Sequence, residues 1–439
     1  MPRTPGSRGK SGSRAARQYL GGEVRRTVLP NGLRVVTERM PHSHTFSVGF
    51  FAGVGSVDET DKINGSSHFL EHVLFKGTRR RNAEEISAAI ESVGGELNAY
   101  TTKEHTCFYA RVLAENSDLA VDVLSDMITS SVIRTADVQA ERTVILDEIA
   151  MHGDDPVESV QELISEYLLP HPGLGLPVIG TEESINALTR QQIVRHWRRN
   201  YHPGSIVVAA AGQVDHDHLV ELLTALGDFG EPGSHRRHRR NAFGEPGPQV
   251  VSEKRPFEQS TVSLAYRGPG VFEAERFPLG LLSVILGGGM SSRLFVEVRE
   301  RRGLAYGIEA GETSYTDHGL WSVDWQSAPD KVEEILQLVR RELAEVAEHG
   351  VTDQELERAK GQMRGQTVLS YEGPQSRMSR LGTAELIGDP RTVLQLLDEY
   401  DRITSDDIGK TAADLLSRDP VLAMVGPRRP SKRLEKLIS

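Results

Sequence analysis

The sequence predicts an α+β fold of two homologous domains, each a mixed β-sheet covered by helices. Three observations carry that expectation. One order of strand-like and helix-like segments is written twice along the chain. A turn-rich, aperiodic stretch at 229–256, with the tripeptide Glu-Pro-Gly twice, separates the two copies. The chain has 439 residues, 38% hydrophobic and 26% charged, which fits a globular protein of several domains. The expected organisation is a disordered basic tail at 1–22, an N-terminal domain at 23–228, a linker at 229–256 and a C-terminal domain at 257–439.

In the first copy a strand over His44–Ala52 precedes a helical stretch at Ser67–Phe75. A helix over Ala83–Val93 follows, opened by Asn82 with Glu85 three residues on, the pattern of a capping box. Alternation predicts strands at Glu96–Thr101 and Thr106–Leu113, then helices at Asn116–Ser130 and from Asp137. In the second copy a strand at Ser260–Tyr266 leads to helices at Phe277–Leu286 and Ser292–Arg301. Strands at Ala305–Glu312 and Gly319–Gln326, a helix at Lys331–Glu348 and a capping box of Thr352 with Glu355 complete it. Even the entry to the last helix recurs, Asp137-Val-Gln-Ala-Glu-Arg against Asp353-Gln-Glu-Leu-Glu-Arg.

Composition excludes several function classes. Apolar runs such as Ile206–Ala211 are strand-sized, far short of the ~18 residues that cross a bilayer, so no membrane partner is expected. A net charge of −11 argues against nucleic acid. The single cysteine, Cys107, excludes an internal disulfide and a cysteine-based zinc site, and its strand setting predicts a buried small apolar residue. The basic N-terminus lacks both an apolar h-region and an amphipathic stripe, so it reads as a disordered tail, with an Arg/Ser-rich transit peptide as the alternative. A bacterial cytoplasmic location is expected, with the mitochondrial matrix as the alternative. The His235–Arg240 cluster reads as solvated linker, and Gly287–Ser292, which lacks a P-loop lysine, as a flexible loop or tight helix start.

The most informative residues are His68-Phe-Leu-Glu71-His72. On a helix these three polar side chains share a face, so two imidazoles can bind one zinc ion with a carboxylate beside it. The spacing H-x-x-E-H is that of the inverted zincins. The equivalent helix of the second copy, FPLGLLSVIL, carries no such residues. A third ligand must be an acid or another His. Glu141 and Glu148 lie on one face of the helix from Asp137, with Val144 and Ile145 expected on the inner side beside Glu148. Asp147 points about 100° away from Glu148. Both glutamates as surface charges is the alternative.

His68-Phe-Leu-Glu-His72-Val-Leu-Phe-Lys-Gly-Thr78, Asn98-Ala-Tyr-Thr101, Glu141-Arg-Thr-Val-Ile-Leu-Asp-Glu148 and Ile179–Tyr201 together resemble the pitrilysin/insulinase-type zinc peptidases. Among them the chain is most similar to the beta subunit of mitochondrial processing peptidase and its bacterial relatives. The resemblance implies a zinc metalloendopeptidase with one zinc per chain, held by His68, His72 and Glu148. Glu71 would be the general base and Glu141 a supporting acid. The strand residues Asn98, Ala99 and Tyr100 would bind a peptide substrate as an added strand. Arg299 and Tyr306, in the second copy, would orient the substrate and donate to the oxyanion. The family's architecture implies that one chain is half of a clamshell closed by dimerisation. A homodimer is expected, with a heterodimer as the alternative. The rival function is a non-catalytic scaffold or regulatory subunit of a heterodimeric processing peptidase.

Overall fold

A computed structural model of the chain describes residues 22–170, 172–226, 229–230, 247–389 and 391–438. The expected tail, apart from Gly22, and the His235–Arg240 cluster lie outside these residues. The first half contains strands β1 Glu23–Val28, β2 Arg34–Arg39, β3 Thr45–Ala52, β4 Glu96–Thr101, β5 Thr106–Leu113 and β6 Ile206–Gly212. Its helices are α1 Ser66–Leu74, α2 Ala83–Glu91, α3 Ser117–Ser130, α4 Thr135–Asp154, α5 Pro156–Leu168, α6 Glu182–Ala187, α7 Arg190–Asn200 and α8 His216–Leu226. The second half contains β7 Gln249–Lys254, β8 Ser260–Gly268, β9 Ala305–Ser314, β10 Gly319–Ser327 and β11 Val421–Gly426. Its helices are α9 Arg276–Gly287, α10 Val332–His349, α11 Asp353–Ser370, α12 Pro374–Ile387, α13 Val393–Arg402, α14 Ser405–Ser417 and α15 Lys432–Ile438.

The two sheets have the same topology. The first runs β1-β2-β6-β3-β5-β4 and the second β7-β11-β8-β10-β9. In each, one parallel pair (β2 with β6, β7 with β11) adjoins an otherwise antiparallel run. The first sheet adds β1, which folds back antiparallel on β2. Both sheets are mixed and carry helices, as the sequence predicts.

The domain boundaries differ from the expected consecutive halves. One compact unit takes residues up to Asp147, a segment starting at Val178, and Gln366–Gln395. The other takes Glu148–Pro177, a segment ending at Gly365, and the chain from Leu396. The division falls between Asp147 and Glu148, inside the continuous helix α4. The halves thus exchange helices. In the first unit α12 covers β2, β3 and β6. Met378 packs there among the fully buried Phe51, Cys107 and Val207. A Cβ at Gly382 would stand 2.2 Å from the Phe51 ring, so glycine is what lets α12 lie this close to the sheet. Arg26 binds Glu385 at 2.8 Å, and the buried Arg377 pairs with Glu38. In the second unit α5 lies over β8 and β11, with Arg267 Nε donating to the Leu168 carbonyl at 3.0 Å. A sheet has two faces to cover, and local periodicity does not say which helix covers which face.

Two further expectations change. The end of the linker is strand β7, because Val250 and Val251 sit against the core while the chain pairs with β11. The predicted helix at Ser292–Arg301 contains a π-helical turn over Phe295–Glu300. The wider turn brings both Arg301 and Arg302 onto the buried carboxylate of Glu297, which Arg341 also reaches. These guanidinium hydrogen bonds hold the Glu297 carboxyl at about 2, below the ordinary glutamate range.

Candidate metal centre and active site

The helix α1 separates its residues cleanly. Phe69, Leu70, Val73 and Leu74 are fully buried and anchor it in the first unit, while His68, Glu71 and His72 occupy the remaining face. Its N-cap is Gly65, with φ of +85°. A side chain there would meet the Ile179 carbonyl and Gly180 Cα within 2.9 Å, so only glycine permits both the turn and the contact.

His68, His72 and Glu148 each offer a ligand atom, and these atoms lie within 4.8 Å of one another. Among the described residues they are the one group of three or more His, Cys, Asp or Glu side chains that converge in this way. The two imidazole centroids are 4.6 Å apart. His72 Nδ1 lies 3.0 Å from Glu141 Oε2, and Lys76 Nζ binds the other Glu141 oxygen at 2.6 Å. An imidazole that donates through Nδ1 keeps Nε2 unprotonated for a metal, and such outer carboxylates fix ring orientation. Two imidazoles and one carboxylate with a further position open are a donor set of catalytic zinc. The residues present therefore fit the ion.

On α4 the inner stripe is Val138, Glu141 and Ile145, all buried. Val144, expected inward, is 48% exposed. The stripe advances three then four residues, which turns Glu148 toward α1 and leaves Val144 outside. Asp147 is exposed, and Glu148 alone of that pair joins the cluster. The surface-charge alternative does not hold for Glu141, which is buried.

Glu71 meets β4. Thr101 Oγ1 donates to Glu71 Oε2 at 2.5 Å. Sequence reasoning misses Thr101, although its place at the end of the Asn98–Thr101 segment, facing α1, is the signal that finds it. Lys76 is a second such residue, one helical turn past His72. The strand β4 is an edge strand of the first sheet, paired with β5. Asn98 and Ala99 are side by side on it, with the Asn98 side chain accepting from the Ala99 amide at 2.8 Å. Tyr100 turns away, its ring against His105 and Tyr109 and its phenol pushed up by burial near Cys107. Cys107 is buried, as expected, and burial raises its thiol as well.

Arg299 and Tyr306 lie in the second unit and are brought together. The Arg299 guanidinium carbon is 4.8 Å from the Phe295 ring centroid and 4.6 Å from that of Tyr306. Tyr306 is 85% exposed, on β9, which is also the edge of its sheet. A guanidinium held between two rings is pre-oriented, and here its Nε also lies 3.8 Å from Glu300 Oε1.

Comparison with known proteins decides the family. A sequence model of the insulinase family (peptidase family M16) matches residues 34–182, and one described as the peptidase M16 inactive domain matches 187–363. An uncharacterized zinc protease of Streptomyces coelicolor is 45% identical over 92% of this chain and 90% of its own length. The chain belongs to the M16 peptidase family. Two other M16 relatives are uncharacterized zinc proteases, of Mycobacterium leprae at 42% identity over 98% of the chain and 97% of the relative, and of Bacillus subtilis at 33% over 92% and 98%. In fold, a peptidase M16 inactive domain from Pseudomonas fluorescens superposes with a TM-score of 0.86 at 20% identity, covering 93% of this chain and 99% of that one. A protease from Helicobacter pylori has the same score and identity, over 93% and 100%. The fold is that of M16 chains. The potential metal ligands fall in the region of the first M16 match, and no helix is long and apolar enough to cross a membrane among the described residues.

Proposed function

We propose that this M16 chain is a zinc metalloendopeptidase that cleaves unfolded peptides or presequence-like segments. The observation that carries the reading is the convergence of His68, His72 and Glu148 beside Glu71. One zinc ion per chain would be held by those three ligands. Bound there, it would supply Lewis-acid polarisation of the scissile carbonyl and acidify a water molecule. Glu71 would take a proton from the water whose oxygen bonds to the scissile carbonyl carbon, and would return it to the amine nitrogen as the C–N bond breaks. Thr101 fixes the Glu71 carboxylate through one oxygen, which aims the other at the reaction. Glu141 orients the His72 ring from behind.

Substrate binding rests on two edges. A peptide adds to β4 along Asn98–Tyr100 as an extended strand, with main-chain hydrogen bonds supplying affinity. Arg299 binds a peptide carbonyl and Tyr306 donates to the oxyanion. Both belong to the second unit, and the resemblance implies a clamshell closed by dimerisation, so we assign them to the zinc of a partner copy in a homodimer, with a heterodimer as the alternative. The motif resemblance to the processing peptidase beta subunit is part of that reading, and a bacterial cytoplasmic setting is proposed with it.

Purified chain incubated with an internally quenched peptide tests the proposal. Chelator-sensitive cleavage that returns with zinc is expected. Metal-free, inactive protein that zinc does not rescue would overturn it.

A further inference from the structure

Behind the metal helix lies a buried polar chain that the proposed mechanism does not use. Glu59 is fully buried. Its carboxylate accepts from the backbone of Gly65 and Ser67 at 2.7 Å each, and from Asn64 Nδ2 and Ser66 Oγ at 3.2 Å. Gly65, the N-cap of α1, has no side chain with which to cap, and Glu59 supplies the missing acceptor from six residues upstream. The chain continues through Ser67, whose Oγ lies 3.0 Å from His196 Nε2 on α7. The Asn200 amide closes it, 3.2 Å from His196 Nδ1. An Nδ1 that accepts from Asn200 leaves the proton on Nε2, so His196 donates to the Ser67 hydroxyl, and Ser67 in turn binds Glu59 through its backbone N–H and its side chain.

Ser67, His196 and Glu59 are the residue types of a hydrolytic triad. Ser67, however, is 0% exposed and stands between the imidazole and the carboxylate, so no substrate reaches it. The arrangement serves the helix instead. Ser67 is the residue before His68, and a rotation of α1 about its axis would swing both imidazoles relative to Glu148. Glu141 and Lys76 hold the far end of α1, and the buried chain holds the near end.

We propose that Glu59, Ser67, His196 and Asn200 are positioning residues that fix the rotation of α1 and thereby the geometry of the metal site. The inference rests on the zinc reading above. Burial supports it by keeping the chain uncharged at its imidazole end, since desolvation lowers His196 to about 4.

Because Glu59 is fully enclosed, its replacement endangers the fold itself, whereas Ser67→Ala removes a single oxygen. Zinc affinity of the full-length chain is measured by competition with a chromogenic chelator, beside the d–d absorption of the cobalt(II)-substituted protein and the thermal midpoint of the metal-free form. Ser67→Ala is expected to weaken zinc by about tenfold or more and to change the cobalt spectrum. His196→Phe is expected to do the same, without adding its loss to that of Ser67→Ala in the double variant. Ser67→Thr, which keeps the hydroxyl, restores affinity. A Ser67→Ala chain with wild-type zinc affinity and cobalt spectrum, whatever its thermal midpoint, would overturn the inference alone. A wild-type chain with no zinc affinity would overturn the proposed function and this inference with it.

Discussion

Glu141 and Glu148 stand seven positions apart on one helix, yet they meet different atoms. Glu148 reaches the cluster with His68 and His72, while Glu141 lies behind His72 on Nδ1 and is held by Lys76. Helical spacing shows that both can face α1. It does not show that one stops at the back of an imidazole. The difference gives a prediction. Glu141→Ala removes the acceptor that holds the His72 ring, so zinc affinity should fall by about 10- to 100-fold, measured by chelator competition. Unchanged affinity would mean that Glu141 does not orient His72.

At the scale of elements, the metal helix is the part most legible in sequence, because His68, Glu71 and His72 sit within one and a half turns and their face is a matter of geometry. Its supports are not legible in the same way. Glu59, Ser67 and His196 are scattered along the chain, and each alone reads as an ordinary polar residue. The β4 strand was legible from alternation, whereas the π-helical turn was not, since the local pattern does not show that Arg301, Arg302 and the distant Arg341 all reach Glu297. The supports also give a pH prediction. Burial raises Glu59 to about 7 from an ordinary value near 4.5. Its contribution to stability is therefore complete below about 4.5 and lost as pH rises through about 7. His196 is depressed to about 4, so its contribution is present above about 6.5 and lost as pH falls through about 4. The two oppose each other across the same window. In urea unfolding of the metal-free chain, His196→Phe should leave a stability that declines from pH 4.5 to 7 more steeply than in wild type. A parallel profile would contradict the assignment of opposing shifts.

For the whole molecule, the repeat was legible because both copies keep one element order, and the matching sheet topologies carry it into three dimensions. The exchange of α5 and α12 was not, because helix periodicity gives each helix a buried face without naming the sheet that buries it. His68, Glu71 and His72 belong to the first unit and Glu148 begins the second unit's stretch of α4, while the second unit also holds the Arg299–Tyr306 stack on an edge strand. In the proposed dimer each zinc is served by the partner's stack. Mixing a Glu71→Gln chain with an Arg299→Ala chain should then restore part of the peptide cleavage that each lacks alone. No restoration in a mixture shown to exchange subunits would count against action across the dimer.

In the proposed reaction Glu71 moves the proton at a zinc held by its neighbours. The most direct measurement takes zinc content and quenched-peptide turnover together on Glu71→Gln and His68→Ala. Glu71→Gln should keep wild-type zinc with turnover reduced by at least about 100-fold, and His68→Ala should lose both zinc and turnover. A Glu71→Gln chain that cleaves peptide at the wild-type rate would contradict it.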